Sequence, residues 1–306
     1  MKKLILMMTL GGLLLTSCGN SVDTSGLKVI SPTGAPALAF YNKATQLTTG
    51  GAAEVKPELL KSNYDFVVFD FYNGLKIQKE KQGHYKLARI LTAGNLYLVG
   101  INHTEKPTEG AKVASFSENS LPDLAFKELY GDRGLTMSYT ADATGIGPVL
   151  KSGKIEGVEQ DYVVVPEPVL SKVLLTMEDI SKYTIFSFAK DWKEAKGEDH
   201  IVPQAGLFVN MDKYNENKVV YDSFINELGS DITIGVNNPN KIKDGIDSIG
   251  NADAQVAKFG INSTDAYNAQ KDRNGVGLLT SYNKSMVTSF LNDIGKGAED
   301  YSDYIL

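Results

Sequence analysis

With 37 acidic against 31 basic residues, the 306-residue chain has a formal net charge of −6. That balance argues against nucleic acid as a partner, because phosphate backbones need a basic footprint. A hydrophobic share of 42% supports the core of two modest domains or one large one, and the lone cysteine, Cys18, rules out internal disulfides.

The chain opens with Lys2 and Lys3, then an apolar run over 4–15 broken at Thr9 and Gly11-Gly12, then small residues up to Cys18. This is the pattern of an export signal, too short for a comfortable membrane span. Its end, Leu15-Thr16-Ser17-Cys18, resembles the bacterial lipobox, in which the cysteine becomes the lipidated first residue. Residues 1–17 are therefore expected to be a lipoprotein signal peptide and Cys18 the lipidation site of an extracytoplasmic, membrane-anchored protein. The plainer alternative is an ordinary signal peptide with an incidental cysteine. Cleavage before Cys18 removes two lysines and no acid, leaving 289 residues at net −8. No later apolar stretch approaches eighteen residues, and residues 18–26 are small and polar, as a tether would be.

From Leu27 onward short apolar strands alternate with helix-like segments. Residues 27–31 read as a strand, and Pro36 suits the first position of a helix reaching Ala44. Residues 66–69 (FVVF) have the continuous apolar character of a buried parallel strand. Residues 95–101 and 112–116 follow as strands, then a helix at 121–130 with Ser120 placed to cap it. A short helix at 146–152 stops at Gly153. Strands at 163–165 and 206–210 precede a mostly helical tail, with helices expected over 215–228, 239–249, 253–259 and 278–294. This alternation predicts an α/β fold with mixed, mostly parallel sheets and a helical C-terminal tail.

Several segments, in order, carry a family resemblance: 31–36 (SPTGAP), 65–74 (DFVVFDFYNG), 94–98 (GNLYL), 114–123 (ASFSENSLPD), 151–157 (KSGKIEG), 165–170 (VPEPVL) and 203–210 (PQAGLFVN). Together with the lipobox, the chain resembles the solute-binding lipoproteins of bacterial ABC importers, in the sulfonate, taurine, nitrate and thiamine-precursor group. The resemblance implies a two-lobed, type II periplasmic-binding-protein-like fold. Lobe one would comprise 27–95 plus 210–306 and lobe two 100–204, with crossings near 96–99 and 205–209. It further implies a monomer that hands a small-molecule ligand to an ABC permease, whose ATPase partner hydrolyses ATP, with no cofactor of its own.

The ligand would lie where loops leave the carboxyl ends of the strands. From lobe one, Ser31, Thr33, Gly34 and Ala35 form a turn before a helix, a possible cradle of backbone N–H groups. Asp70, Tyr72 and Asn73 follow the second strand, and Asn95 precedes a crossing. From lobe two come Ser117, Asn119 and Ser120 before a helix, then Tyr139, Thr140 and Thr144, and Glu167 between two prolines. The cradle favours a sulfonate-like anion, whereas 15 Tyr and 12 Phe favour a ring compound such as a thiamine precursor. Only three arginines exist (Arg89, Arg133, Arg273), and no motif places one as an anion clamp.

Catalytic chemistry is poorly represented. His84, His103 and His200 lack metal-ligand spacing, and residues 147–154 depart from a phosphate loop in both spacing and the missing hydroxyl residue. The chain is thus expected not to be an enzyme. A biosynthetic enzyme on the same scaffold, or a surface receptor without a permease, are the competing readings.

Overall fold

The computed structural model describes residues 22–306 except 274. Cys18 and the leader lie outside the described residues. β1 (Val29–Pro32), β2 (Leu47–Gly50), β3 (Phe66–Asp70) and β4 (Tyr85–Ile90) come first. β5 (Leu96–Ile101), β6 (Lys112–Phe116) and β7 (Thr136–Thr140) follow, then the small hairpin β8 (Lys154–Ile155) and β9 (Val158–Glu159). β10 (Tyr162–Pro166), β11 (Tyr183–Ser187) and β12 (Ala205–Asn210) complete the strands. Phe66, Val67 and Val68 are fully buried and Phe69 nearly so, because β3 is covered on both faces.

One five-stranded sheet has the order β2-β1-β3-β12-β4 and the other β11-β5-β10-β6-β7. In the first, β1 runs parallel to β2 and β3, while β12 is antiparallel to β3 and β4. In the second, β6 runs parallel to β10 and β7, while β5 is antiparallel to β10 and β11. Each sheet thus receives its antiparallel strand from the chain as it arrives from the other sheet. The helices are α1 (Ala35–Leu38), α2 (Ala52–Val55), α3 (Phe71–Lys81), α4 (Leu121–Tyr130), α5 (Ala143–Ser152), α6 (Val169–Leu174) and α7 (Phe188–Lys196). After β12 come α8 (Met211–Glu216), α9 (Lys218–Asn237), α10 (Pro239–Asp247), α11 (Ala252–Phe259), α12 (Ser263–Lys271) and α13 (Lys284–Asp293).

The crossings fall earlier than expected. Residues 96–99 and 205–209 are not linkers: both are buried stretches of strand, in β5 of the second sheet and β12 of the first. The chain passes between sheets in 91–95 and 197–204, where Thr92, Gly94, Pro203 and Gln204 interrupt the apolar pattern. There the two segments pair: Leu91 N donates to Ala205 O (2.8 Å), Gln204 N to Thr92 O (2.8 Å) and Gly94 N to Val202 O (3.1 Å). A third segment joins them, with Ala93 N donating to Gly277 O and Leu279 N to Leu91 O, both at 2.8 Å.

Three of the expected helices differ most in their bounds. α1 lasts only four residues, after which i→i−3 bonds such as Lys43 N to Phe40 O carry the chain on in turns. α9 does not stop at Leu228, because Gly229 lies under Arg89, where a Cβ would come within 2.2 Å of the guanidinium. The helix expected over 278–294 begins only at Lys284, where Asn283 Oδ1 accepts from Met286 N at 3.2 Å; Leu278 instead bridges to Thr92.

The C-terminal tail serves both lobes. α9–α12 contribute the core against β1, β3 and β12, with Phe224 stacked on Phe66 at 4.7 Å. α13 lies behind the crossings: Phe290 meets Phe71 of the first lobe edge-on at 5.7 Å and stacks on Trp192 of the second at 5.1 Å. Asp293 then accepts from Trp192 Nε1 (3.3 Å) and lies 2.7 Å from His200 Nδ1.

Candidate ligand-binding site

The carboxyl ends of β1, β3, β6 and β10 converge on a cavity of about 330 Å³ between the two sheets. Such crevices at strand ends are where open α/β sheets take their ligands. The first lobe supplies Thr33, Gly34, Ala35, Phe69, Asp70 and Asn73; the second supplies Phe116, Ser117, Ser120 and the run Pro166–Val169. Thr92, Asn95 and Gln204 reach it from the crossings.

Asp70 spans the two lobes. Its Oδ1 accepts from Asn73 N (2.9 Å) in the first turn of α3, capping that helix. Its Oδ2 accepts from Leu121 N (3.2 Å) at the start of α4, in the other lobe. Burial nevertheless outweighs these backbone bonds and raises its carboxyl from 3.8 to about 6. The protein's own carboxylate therefore sits where two helix N-termini would otherwise hold a ligand anion.

Within the expected cradle at Ser31–Ala35, two amides are turned to protein carbonyls. Thr33 N donates to Gly50 O (3.2 Å) and Gly34 N to Phe259 O (2.9 Å), so these amides are engaged. Gly34 matters for another reason: its φ is +98°, and a Cβ there would sit 3.9 Å from Pro168 Cδ across the cleft. Ser31 is fully buried within β1, its hydroxyl turned to Pro32 O at 2.9 Å.

Glu167 is fully engaged. Arg273, beyond α12, reaches across the lobes and donates to its Oε1 through Nε (2.9 Å) and Nη2, and Ser171 donates through N (3.0 Å) and Oγ (3.1 Å). Burial pushes this carboxyl up, opposed by the Arg273 charge and the Arg273 and Ser171 hydrogen bonds. The glutamate thus closes an interlobe ion pair rather than greeting a ligand with a free carboxylate.

Several expected contacts lie elsewhere. Tyr72 is a core residue, packed edge-on to Tyr301 at 6.1 Å. Asn119 is exposed, its amide N–H held by Asp123 Oδ2, and Tyr139 donates to Asp123 Oδ1, both at 2.8 Å. Thr140 donates to Asp142 O (2.8 Å) within its own turn. Thr144 is exposed in an outer groove, which also carries Lys151 and Lys172. Two of these have one cause: Tyr139 and Thr140 end β7 itself, so Asp142 and Ala143 line the cavity in their place.

Three buried polar atoms at the cavity have no hydrogen-bond partner: Asn95 Oδ1, Ser120 Oγ and Gln204 Nε2. Buried groups of this kind normally find partners. Ser120 occupies the N-cap position of α4 without capping it, which leaves its hydroxyl available. Gln204 and Thr92 are missed by sequence reasoning, although an amide side chain immediately before each of β5 and β12 is a pattern visible in the chain. Among the described residues no group of three or more His, Cys, Asp or Glu side chains is placed to hold a metal ion. No described helix is long and apolar enough to cross a membrane.

No family model and no curated protein matches the amino-acid sequence. Solved structures do. An ABC transporter protein from Parabacteroides distasonis superposes with a TM-score of 0.64 at 18% identity, over 91% of this chain and 95% of that one. The ligand-binding component of an ABC-type import system from Staphylococcus aureus gives 0.64 at 11%, over 92% and 96%. The periplasmic aliphatic sulphonate-binding protein of Escherichia coli gives 0.63 at 11%, over 92% and 91%. The chain therefore has the α/β fold of these solute-binding proteins, two mixed sheets with a helical C-terminal tail around one interlobe cleft.

Proposed function

We propose that this chain is the extracytoplasmic solute-binding component of an ABC importer, anchored by a lipid on Cys18. It captures a small organic molecule between its lobes and presents the closed form to a permease, whose ATPase partner supplies the energy. The observation that carries the reading is the interlobe cavity, with buried polar atoms from both the second lobe and the crossings left unpaired. Phe69 and Phe116 on facing lobes suit a ligand with a ring or compact apolar skeleton. No reaction is assigned to the chain.

The testing experiment is native mass spectrometry of the full chain, purified in mild detergent without denaturation. A discrete noncovalent mass, lost in a Gly34→Val chain that still folds, is the expected result. A bare chain that gains no thermal stability from a small-molecule extract of its own cells would refute the reading. Cys18→Ala should release the protein from the membrane without changing ligand affinity; a variant that stays anchored refutes lipidation.

A further inference from the structure

We propose that the cleft selects a cationic organic molecule, a protonated amine on a compact skeleton, over an oxyanion. This rests on the solute-binding reading above and adds the charge of the cargo.

The first observation is the charge inventory. The inner cavity is lined by three carboxylates, Asp70, Asp142 and Glu167, and by no lysine, arginine or histidine. Glu167 is neutralised by Arg273. Asp70 and Asp142 have no ion-pair partner among the described residues. The lysines of the outer groove, Lys151 and Lys172, are exposed, where solvent and salt screen them.

The second is the fate of the backbone donors. An oxyanion without a cation to meet it needs free N–H groups. Leu121 N is spent on Asp70, Pro122 has none to give, and Thr144 N is spent on Asp142 Oδ1 at 2.9 Å. Thr33 N and Gly34 N are spent on carbonyls. Most of the backbone donors that would recognise a sulfonate are thus already engaged from within.

The third is what remains unpaired. Asn95 Oδ1 and Ser120 Oγ, on residues 3% and 9% exposed, have accepting capacity with no donor opposite. An ammonium brings three donors and no acceptor. Placed beside Asp70 and these oxygens, it would supply charge and hydrogen bonds together, with Phe69 and Phe116 flanking the skeleton. Gln204 Nε2, the one unpaired donor of the set, would take a hydroxyl or ring nitrogen carried elsewhere on the ligand. The raised carboxyl of Asp70 agrees with this, since a neighbouring cation relieves the cost of its buried charge.

The test uses three probes on one ring, benzylammonium, benzyl alcohol and benzenesulfonate, titrated at neutral pH and low salt into the full chain in detergent. Binding is read by saturation-transfer NMR up to high millimolar concentrations. Benzylammonium should bind about tenfold or more tightly than the other two. Asp70→Asn should bring the ratio of benzylammonium to benzyl alcohol affinity down to about one, and Asp70→Glu should restore part of it. Circular dichroism of each variant separates lost binding from lost fold. Equal or tighter binding of benzenesulfonate overturns the proposal, and so does the absence of any cation preference, including silence from all three probes. Neither result touches the solute-binding reading, which stands or falls on the native mass.

Discussion

Asp70→Asn also makes a sharp stability prediction. The carboxyl moves from 3.8 to about 6 on folding because burial penalises its charge. Between those values the unfolded chain has released the proton and the folded chain has kept it. Stability must therefore fall as pH rises through that window, and level off above it. At 1.36 kcal/mol per pKa unit the full loss is about 3 kcal/mol, an upper bound for a residue that retains some solvent contact. The amide of the variant cannot ionise, so it escapes this loss. It also gives up one of the two carboxylate acceptors, at a cost that does not depend on pH. Urea titrations of both proteins from pH 4 to pH 8 isolate the effect, since every other titrating group cancels in the difference. The difference should shift in favour of the variant by about 2–3 kcal/mol over this range. A flat difference would mean that Asp70 is not a buried charge, and the electrostatic account of the cleft would fall with it.

Three further outcomes are expected. Arg273→Leu leaves Glu167 buried without its cation and should cost about 3–5 kcal/mol in urea unfolding, partly recovered by adding Glu167→Gln; a cost near zero would show that the interlobe pair contributes nothing. Gly34→Val forces a β-branched residue to a φ of +98° and pushes a side chain toward Pro168, so it should lose about 1–3 kcal/mol and the bound mass together. Trp192→Ala empties a fully buried site against Phe290 and should cost about 3–5 kcal/mol. Amide exchange in that variant should accelerate across 284–293 while β3 stays protected; uniform acceleration would mean that α13 is not a separable strap.

Continuous apolar runs were the legible part of the fold. FVVF, KVASF and GLFVN announce β3, β6 and β12 because central strands are covered on both faces and need no alternation. β2, with only Leu47 buried, and β11, half-buried along its length, carry no such signal and went unread. Two glycines carry meanings that only the fold discloses: Gly229 makes room for Arg89 inside α9, and Gly34, expected in an anion cradle, sets a turn where its own amide and that of Thr33 are already bonded. Of the residues the sequence singles out, Thr33, Gly34, Ala35, Asp70, Asn73, Asn95, Ser117, Ser120 and Glu167 line the interlobe cavity. What the sequence does not reveal is which of their groups are already bonded. That Asp70 would take the N–H of Leu121, 51 residues away, or Arg273 the carboxylate of Glu167, 106 away, depends on contacts between lobes that no local pattern encodes.

The three hydrogen-bonded segments at the crossings have a mechanical consequence. A single linker lets two bodies tilt, slide and twist; two separate linkers still let them shear. Here 91–94, 202–205 and 277–279 are laced into one ribbon, and a laced ribbon flexes across its face while resisting torsion. With α13 bracing the rear through Phe290 and Asp293, the compliant direction left to the molecule is a change of angle at the cleft mouth. A partner that reads this surface therefore needs to measure a single coordinate.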